Sequence, residues 1–222
     1  MLKWENRWPG LGEWPHLMLL LLMAALSWYF GGDLPDRVPI HYNMQGEVDG
    51  YGSKWVLLLL MPGMSILFYL LLKFLPRLSL ETGTTNNFGR SYDMVRFIVL
   101  LLFAGLHAGI LIKTVEPTFQ LRYIITPLFA LLFILLGWQM PGLPRNGVMG
   151  IRTTWTLAND EVWKQVHRAA RPVMIVGGLL YIPLGFISEM TSFVEIMALA
   201  VGLLIWSLTY SHRVHNRLSS RL

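Results

Sequence analysis

Residues 145–168 read RNGVMGIRTTWTLANDEVWKQVHR, a polar stretch with three arginines and two tryptophans. It lies between apolar runs at about 121–140 and 172–188. Four more such runs lie at about 16–31, 55–75, 94–113 and 192–211. Each approaches the ~20 residues that cross ~30 Å of hydrocarbon. The pattern predicts an all-α integral membrane protein, a bundle of six spanning helices. Runs five and six are separated only by a short turn around Glu189 and read as a helical hairpin. The first run follows Lys3 and Arg7 as in a signal peptide, but no small-residue cleavage site follows it, so an uncleaved helix is expected.

Composition agrees. Of 222 residues, 54% are hydrophobic and 14% charged, against about a quarter charged in a soluble domain; mean hydropathy is +0.49. The absence of cysteine excludes disulfides, thiolate zinc sites and cysteine nucleophiles. The net charge of +5 sits in short loops and a tail beside apolar runs, which suits topology control and anionic lipid rather than nucleic acid.

With the N-terminus inside, fourteen of the eighteen Lys and Arg residues fall on inner segments. Only Arg37, Lys54, Lys113 and Arg122 lie outside. This asymmetry predicts cytoplasmic termini. Trp4, Trp8, Trp14, Trp28, Trp55 and Trp138 lie near run ends, where indole rings anchor at the headgroups. An N-terminal two-helix unit, 1–76, is expected to carry an external loop, 33–54. A four-helix unit, 77–222, is expected to carry an internal loop, 141–171. Internal loop 74–93 looks flexible and uninformative.

Within loop 141–171, PGLPRNGVMG is turn chemistry. Asn159 is a good N-cap, with Asp160 and Glu161 in the following first turn. A helix then runs to Arg171, ahead of Pro172, with Val162, Trp163, Val166, Ala169 and Ala170 on one stripe. Asp160 is spaced to pair with Lys164. This predicts an amphipathic helix over about 159–171, lying in the cytoplasmic interface with its stripe toward the bilayer. Two readings of the loop stand side by side. It is an interfacial linker whose arginines meet lipid phosphates, or Arg145, Asn146, Arg152, Trp155 and Asn159 form a specific polar knot.

This run resembles the signature of the SdpI family, membrane proteins that confer immunity to a secreted, membrane-active sporulation-delaying toxin. Asn146, Gly150, Ile151, Arg152, Thr153, Trp155, Thr156, Asn159, Val162, Trp163, His167 and Arg168 match the family's pattern. Thr154 stands where proline is usual, Val166 where threonine is usual, and Trp138 follows Gly137 where asparagine is expected. The resemblance makes Asn146, Gly150, Arg152, Trp155, Thr156, Asn159, Trp163, His167 and Arg168, with Arg145, the candidate functional set.

Loop 33–54, DLPDRVPIHYNMQGEVDGYGSK, resembles a small domain of unknown function that often precedes that signature. Leu34, Pro35, Pro39, His41, Asn43, Gly46, Asp49 and Lys54 fit its pattern. Read from the residues alone, His41, Asn43, Glu47 and Asp49 offer one imidazole and three oxygen side chains. That is thin as a metal set, and a compact turn structure with His41 bonded inside it is the main expectation. No cofactor or metal is assigned.

His107 lies in mid-run and reads either as a neutral histidine bonded to a neighbouring helix or as part of a proton relay. Glu195, near the outer end of the sixth run, reads as snorkelling to the interface. The resemblance implies a non-enzymatic immunity protein, meeting a toxic peptide outside and, in members that signal, holding a small repressor at the inner face. A solute transporter or channel is the alternative class, and a membrane-embedded metal-dependent hydrolase the third.

Overall fold

In the computed structural model, which describes residues 12–78 and 89–220, the apolar runs become helices in chain order. They are α1 (Trp14–Gly31), α2 (Lys54–Leu78), α3 (Gly89–Val115) and α4 (Arg122–Gln139). A 3-10 turn at Met140–Gly142 and the short α5 (Thr154–Ala158) lead to α6 (Asp160–Gly185) and α7 (Glu189–Ser219). The expectations placed on Lys3, Trp4, Arg7, Trp8, loop residues 79–88, the Arg77 side chain and Arg221 lie outside the described residues.

Five helices are long and apolar enough to span a membrane: Trp14–Gly31, Lys54–Leu75, Arg90–Val115, Arg122–Gly142 and Glu189–Ser219. Trp14, Trp28, Trp55 and Trp138 all stand exposed on their surfaces, as rings do that face lipid at the headgroup level.

The fifth run, 172–188, corrects the sequence reading. Residues 172–185 are the apolar second half of α6, whose first half is the amphipathic segment. The two form one continuous helix through Pro172. The stripe does not lie on the bilayer. Val162 and Val166 pack on Val214 of α7, while Trp163 and Ala170 pack on Met140 and Leu143. Proline removes one backbone bond and strains the preceding turn, yet packing on both sides holds the helix straight through. Contact with α4 is close because Gly137 and Gly178 carry no side chain. A Cβ at Gly137 would stand 2.8 Å from Cβ of Met174, and one at Gly178 2.8 Å from the Ala130 carbonyl. Small residues at helix crossings are the usual membrane solution, since lipid offers little hydrophobic drive for helix association.

The all-α expectation also needs amending. Loop 33–54 contains an antiparallel hairpin, β1 (Arg37–Tyr42) and β2 (Val48–Ser53). Arg37 faces Ser53, Pro39 faces Tyr51 and Tyr42 faces Val48, with irregular register around His41. The turn is set by Asn43, whose Oδ1 accepts from the N–H groups of Gln45 (3.0 Å) and Glu47 (2.9 Å). Gly46 holds φ +80°, a conformation natural only to glycine. Alternation is blurred by the prolines and glycines of this segment, which hid the strands from periodicity. Val38 is fully buried and seats the hairpin on Leu34, Leu57, Leu58 and Leu111.

Candidate functional site

The knot at loop 141–171 is built from the backbone outward. Asn146 is buried and carries the first turn. Its Oδ1 accepts from Val148 N–H (2.8 Å) and Met149 N–H (2.7 Å), and its Nδ2 donates to the Pro144 carbonyl (2.7 Å). Arg145 makes a forked contact, Nε to Asp160 Oδ1 and Nη1 to the Leu157 carbonyl, each at 2.5 Å. Asp160 therefore holds Arg145 rather than Lys164. Thr153 and Thr156 form a reciprocal capping box around the first turn of α5, and the Thr156 hydroxyl also donates to the Ile151 carbonyl (2.7 Å). Thr154, standing in place of the family's proline, is the first residue of α5. There a missing N–H costs nothing and the two residues interchange. Asn159 caps α6 as expected, accepting from Glu161 N–H (2.8 Å) and Val162 N–H (3.2 Å).

The centre is Trp163 stacked on His167, ring centroids 4.0 Å apart. Trp163 Nε1 donates to the Leu143 carbonyl (2.9 Å). His167 Nε2 accepts from Ile151 N–H (3.0 Å), so Nδ1 holds the ring proton and donates to the Trp163 carbonyl (2.9 Å). Burial pushes the imidazole pKa down to about 4, only partly opposed by the bond to the Trp163 carbonyl. The ring is a neutral brace between the loop and α6. Gly150 passes directly over it at φ +115°, where a Cβ would lie 2.6 Å from His167 Nε2 and 3.0 Å from the Trp163 ring. Gly150→Ala should therefore destabilise the fold by about 1–3 kcal/mol, read as a lower unfolding midpoint in detergent. An unchanged midpoint would show that the loop is free to shift.

Of the candidate residues, Arg145, Asn146, Gly150, Thr156, Asn159, Trp163 and His167 thus come together. Trp155 turns the other way and lies 4.9 Å from the His212 ring of α7. Arg152 and Arg168 are exposed and have no ion-pair partner among the described residues. The polar-knot reading fits Arg145, Asn146 and Asn159, and fails for Arg152 and Trp155.

On the hairpin, His41 Nδ1 and Asp49 Oδ1 meet at 2.5 Å with both side chains exposed. Asn43 Nδ2 donates to Glu47 Oε2 (3.0 Å). Lys54 reaches back to the Leu34 carbonyl (3.2 Å) and Asp36 (3.4 Å), closing the loop at its base. Pro39 is paired opposite Tyr51. Gly46, at the tip, approaches Glu189 of α7, where an added Cβ would stand 2.8 Å from Glu189 Cγ.

One cluster escaped the sequence reading. Glu13, at the start of α1, accepts from Tyr69 of α2 (2.5 Å) and Arg96 of α3 (3.2 Å), with Lys73 at 3.6 Å. Arg96 also donates to Asp93 (3.2 Å), and fully buried His16 lies 3.7 Å from the same carboxylate. Its members are up to 83 positions apart, so no local motif marks it, and Asp93 falls in the loop read as uninformative. His107 is bonded to a neighbouring helix. Ser27 donates to the Leu58 carbonyl (2.8 Å), so His107 Nε2 donates to the Ser27 hydroxyl (2.9 Å).

Comparison with known proteins gives concordant matches. A domain of unknown function, DUF1648, matches residues 18–66, and the SdpI/YfhL protein family matches residues 142–211. The chain is 26% identical over 180 residues to the immunity protein SdpI of Bacillus subtilis (strain 168), spanning 81% of this chain and 84% of that protein. No solved structure matches. The second match contains the whole Trp163–His167 brace and its loop from Leu143 onward, and the first contains the hairpin. The chain is therefore a multi-pass bacterial membrane protein, similar to the SdpI/YfhL family over residues 142–211 and to DUF1648 over residues 18–66 ahead of them.

Proposed function

We propose that this chain is a membrane immunity protein, protecting its cell against a secreted, membrane-active peptide. The observation that carries the reading is its likeness to an immunity protein along most of both chains. In this reading α6 supplies the sixth span through residues 172–185, and both termini and the 145–168 loop face the cytoplasm, as the Lys and Arg distribution favours. The chain divides into unit 1–76, presenting the hairpin outside, and unit 77–222, presenting the signature inside.

The two faces take different parts. The hairpin is rigid, sealed by Lys54 and turned by Asn43, with His41, Asp49 and Tyr51 exposed toward an incoming peptide. On the inner side the brace holds the loop in one shape, so Arg152, Lys164 and Arg168 are presented to solvent at fixed positions. An acidic surface of a small repressor is the partner this basic face suits, and signalling through it completes the proposal. No step in this role is catalytic.

The test is survival of a sensitive host expressing the chain and challenged with a sporulation-delaying-type peptide. Wild type should protect. Arg152→Ala, which removes an exposed and unpaired side chain and spares the fold, should lose protection at equal membrane abundance. Wild-type chain present in the membrane but without protection would sink the immunity reading. Full protection by the variant would remove Arg152 from it.

A further inference from the structure

Glu195 is half-buried on α7. It lies six residues beyond Glu189, on the order of 9 Å further along the helix, and its Oε2 is buried without a hydrogen-bond partner. The carboxyl lines a cavity of about 340 Å³ between α6 and α7, walled by Phe133, Gly177, Leu180, Tyr181, Leu199 and Gly202. No Lys, Arg or His lines it. The nearby hydroxyls are already engaged: Tyr181 with Ser192 (2.5 Å), Ser192 with Thr126 (3.3 Å), and Thr126 with the Gly185 carbonyl (3.0 Å). An acid inside a spanning segment is expensive, and such groups mark sites whose partner should be named.

We propose that this cavity binds a cationic amphiphile of small-molecule size, an aliphatic ammonium whose head pairs with Glu195 and whose chain lies against Phe133 and Leu199. Three observations select that chemistry. The lone unpaired group is an acid, so its complement is a cation. Every other wall is apolar except the engaged Tyr181, so the body is hydrocarbon. Leu180 and Leu184 at the rim are 61% and 47% exposed on the lipid-facing surface, so entry is from the bilayer. The volume falls within the ~300–1,000 Å³ of small-molecule sites. Gly202 contributes to it directly, because a Cβ there would meet nothing within 4 Å.

The experiment uses the full chain in phosphatidylcholine nanodiscs and radiolabelled dodecylamine, with dodecanol as the uncharged match and uptake by empty discs subtracted. Wild type should hold the amine about tenfold more tightly than the alcohol, the preference that ~1.4 kcal/mol of pairing gives. Glu195→Gln keeps the shape and should abolish the preference. Gly202→Leu adds its side chain to open space and should weaken both ligands at an unchanged unfolding midpoint. Equal affinity for amine and alcohol, or an undiminished preference in Glu195→Gln, would overturn the proposal. No toxin enters the assay, so its failure and that of the immunity reading are separate results.

Discussion

Trp163→Ala should be among the most damaging single changes in the signature, costing about 3–5 kcal/mol. Trp163 is 2% exposed, and its removal opens a cavity among Met140, Leu143 and Ala170. It also takes away the stacking partner of His167 and orphans the Leu143 carbonyl, which then lacks its donor. Trp163→Phe separates these effects, because it keeps most of the packing and loses only the N–H. It should cost about 1–2 kcal/mol. The measurement is equilibrium unfolding in mild detergent by added dodecyl sulfate. Equal midpoints for wild type and Trp163→Ala would show that the brace does not hold the loop to α6.

The second large effect is a pH dependence centred on His167. Folded, its pKa is about 4 because burial disfavours the charged ring; unfolded, it is about 6.5. Between those values the unfolded chain binds the extra proton. Stability from this group is therefore complete above about pH 6.5 and falls as pH drops toward 4, by about 3 kcal/mol across the window. The local chemistry agrees, since a proton on Nε2 would face the Ile151 N–H that it now accepts from. Unfolding midpoints at pH 7 and pH 4.5 should differ far more in wild type than in His167→Gln. That variant should start lower and stay flatter. Parallel profiles would assign the acid sensitivity to other groups.

Both effects fall on residues whose identity was legible in the chain and whose task was not. Trp163 and His167 stood out by their match to a family pattern, and Trp163 also by its place on an apolar stripe. A stripe at helical spacing says that one face will be covered. It does not say whether lipid or protein covers it. Here protein does, because α7 runs on to Ser219 and brings Val214 against Val162 and Val166. The Asn159 cap was legible because capping is a matter of neighbouring residues. Arg145 and Asp160, fifteen positions apart, were both singled out, but their pairing depends on the fold of the turn between them.

The hairpin shows the same division. That the prolines and glycines set a compact turn structure was readable, while the strands were not, because short exposed strands interrupted by Pro39, Gly50 and Gly52 carry little alternation. The contact between His41 and Asp49 follows from the hairpin's pairing across its turn.

The sequence by itself determined that this is a membrane protein, where its apolar runs lie, and which polar segments carry specific chemistry. Each of those follows from composition and from residues a few positions apart. Tertiary structure alone decided that α6 runs unbroken through Pro172, that Glu13, His16, Tyr69, Lys73, Asp93 and Arg96 meet, and that Arg152 and Arg168 remain free among the described residues. It also placed Glu195 at the wall of a cavity with one carboxyl oxygen buried and unpaired. The reason is physical. Local rules set what a segment can form, whereas the partner of a buried charge or an apolar stripe is set by which distant helix packs against it.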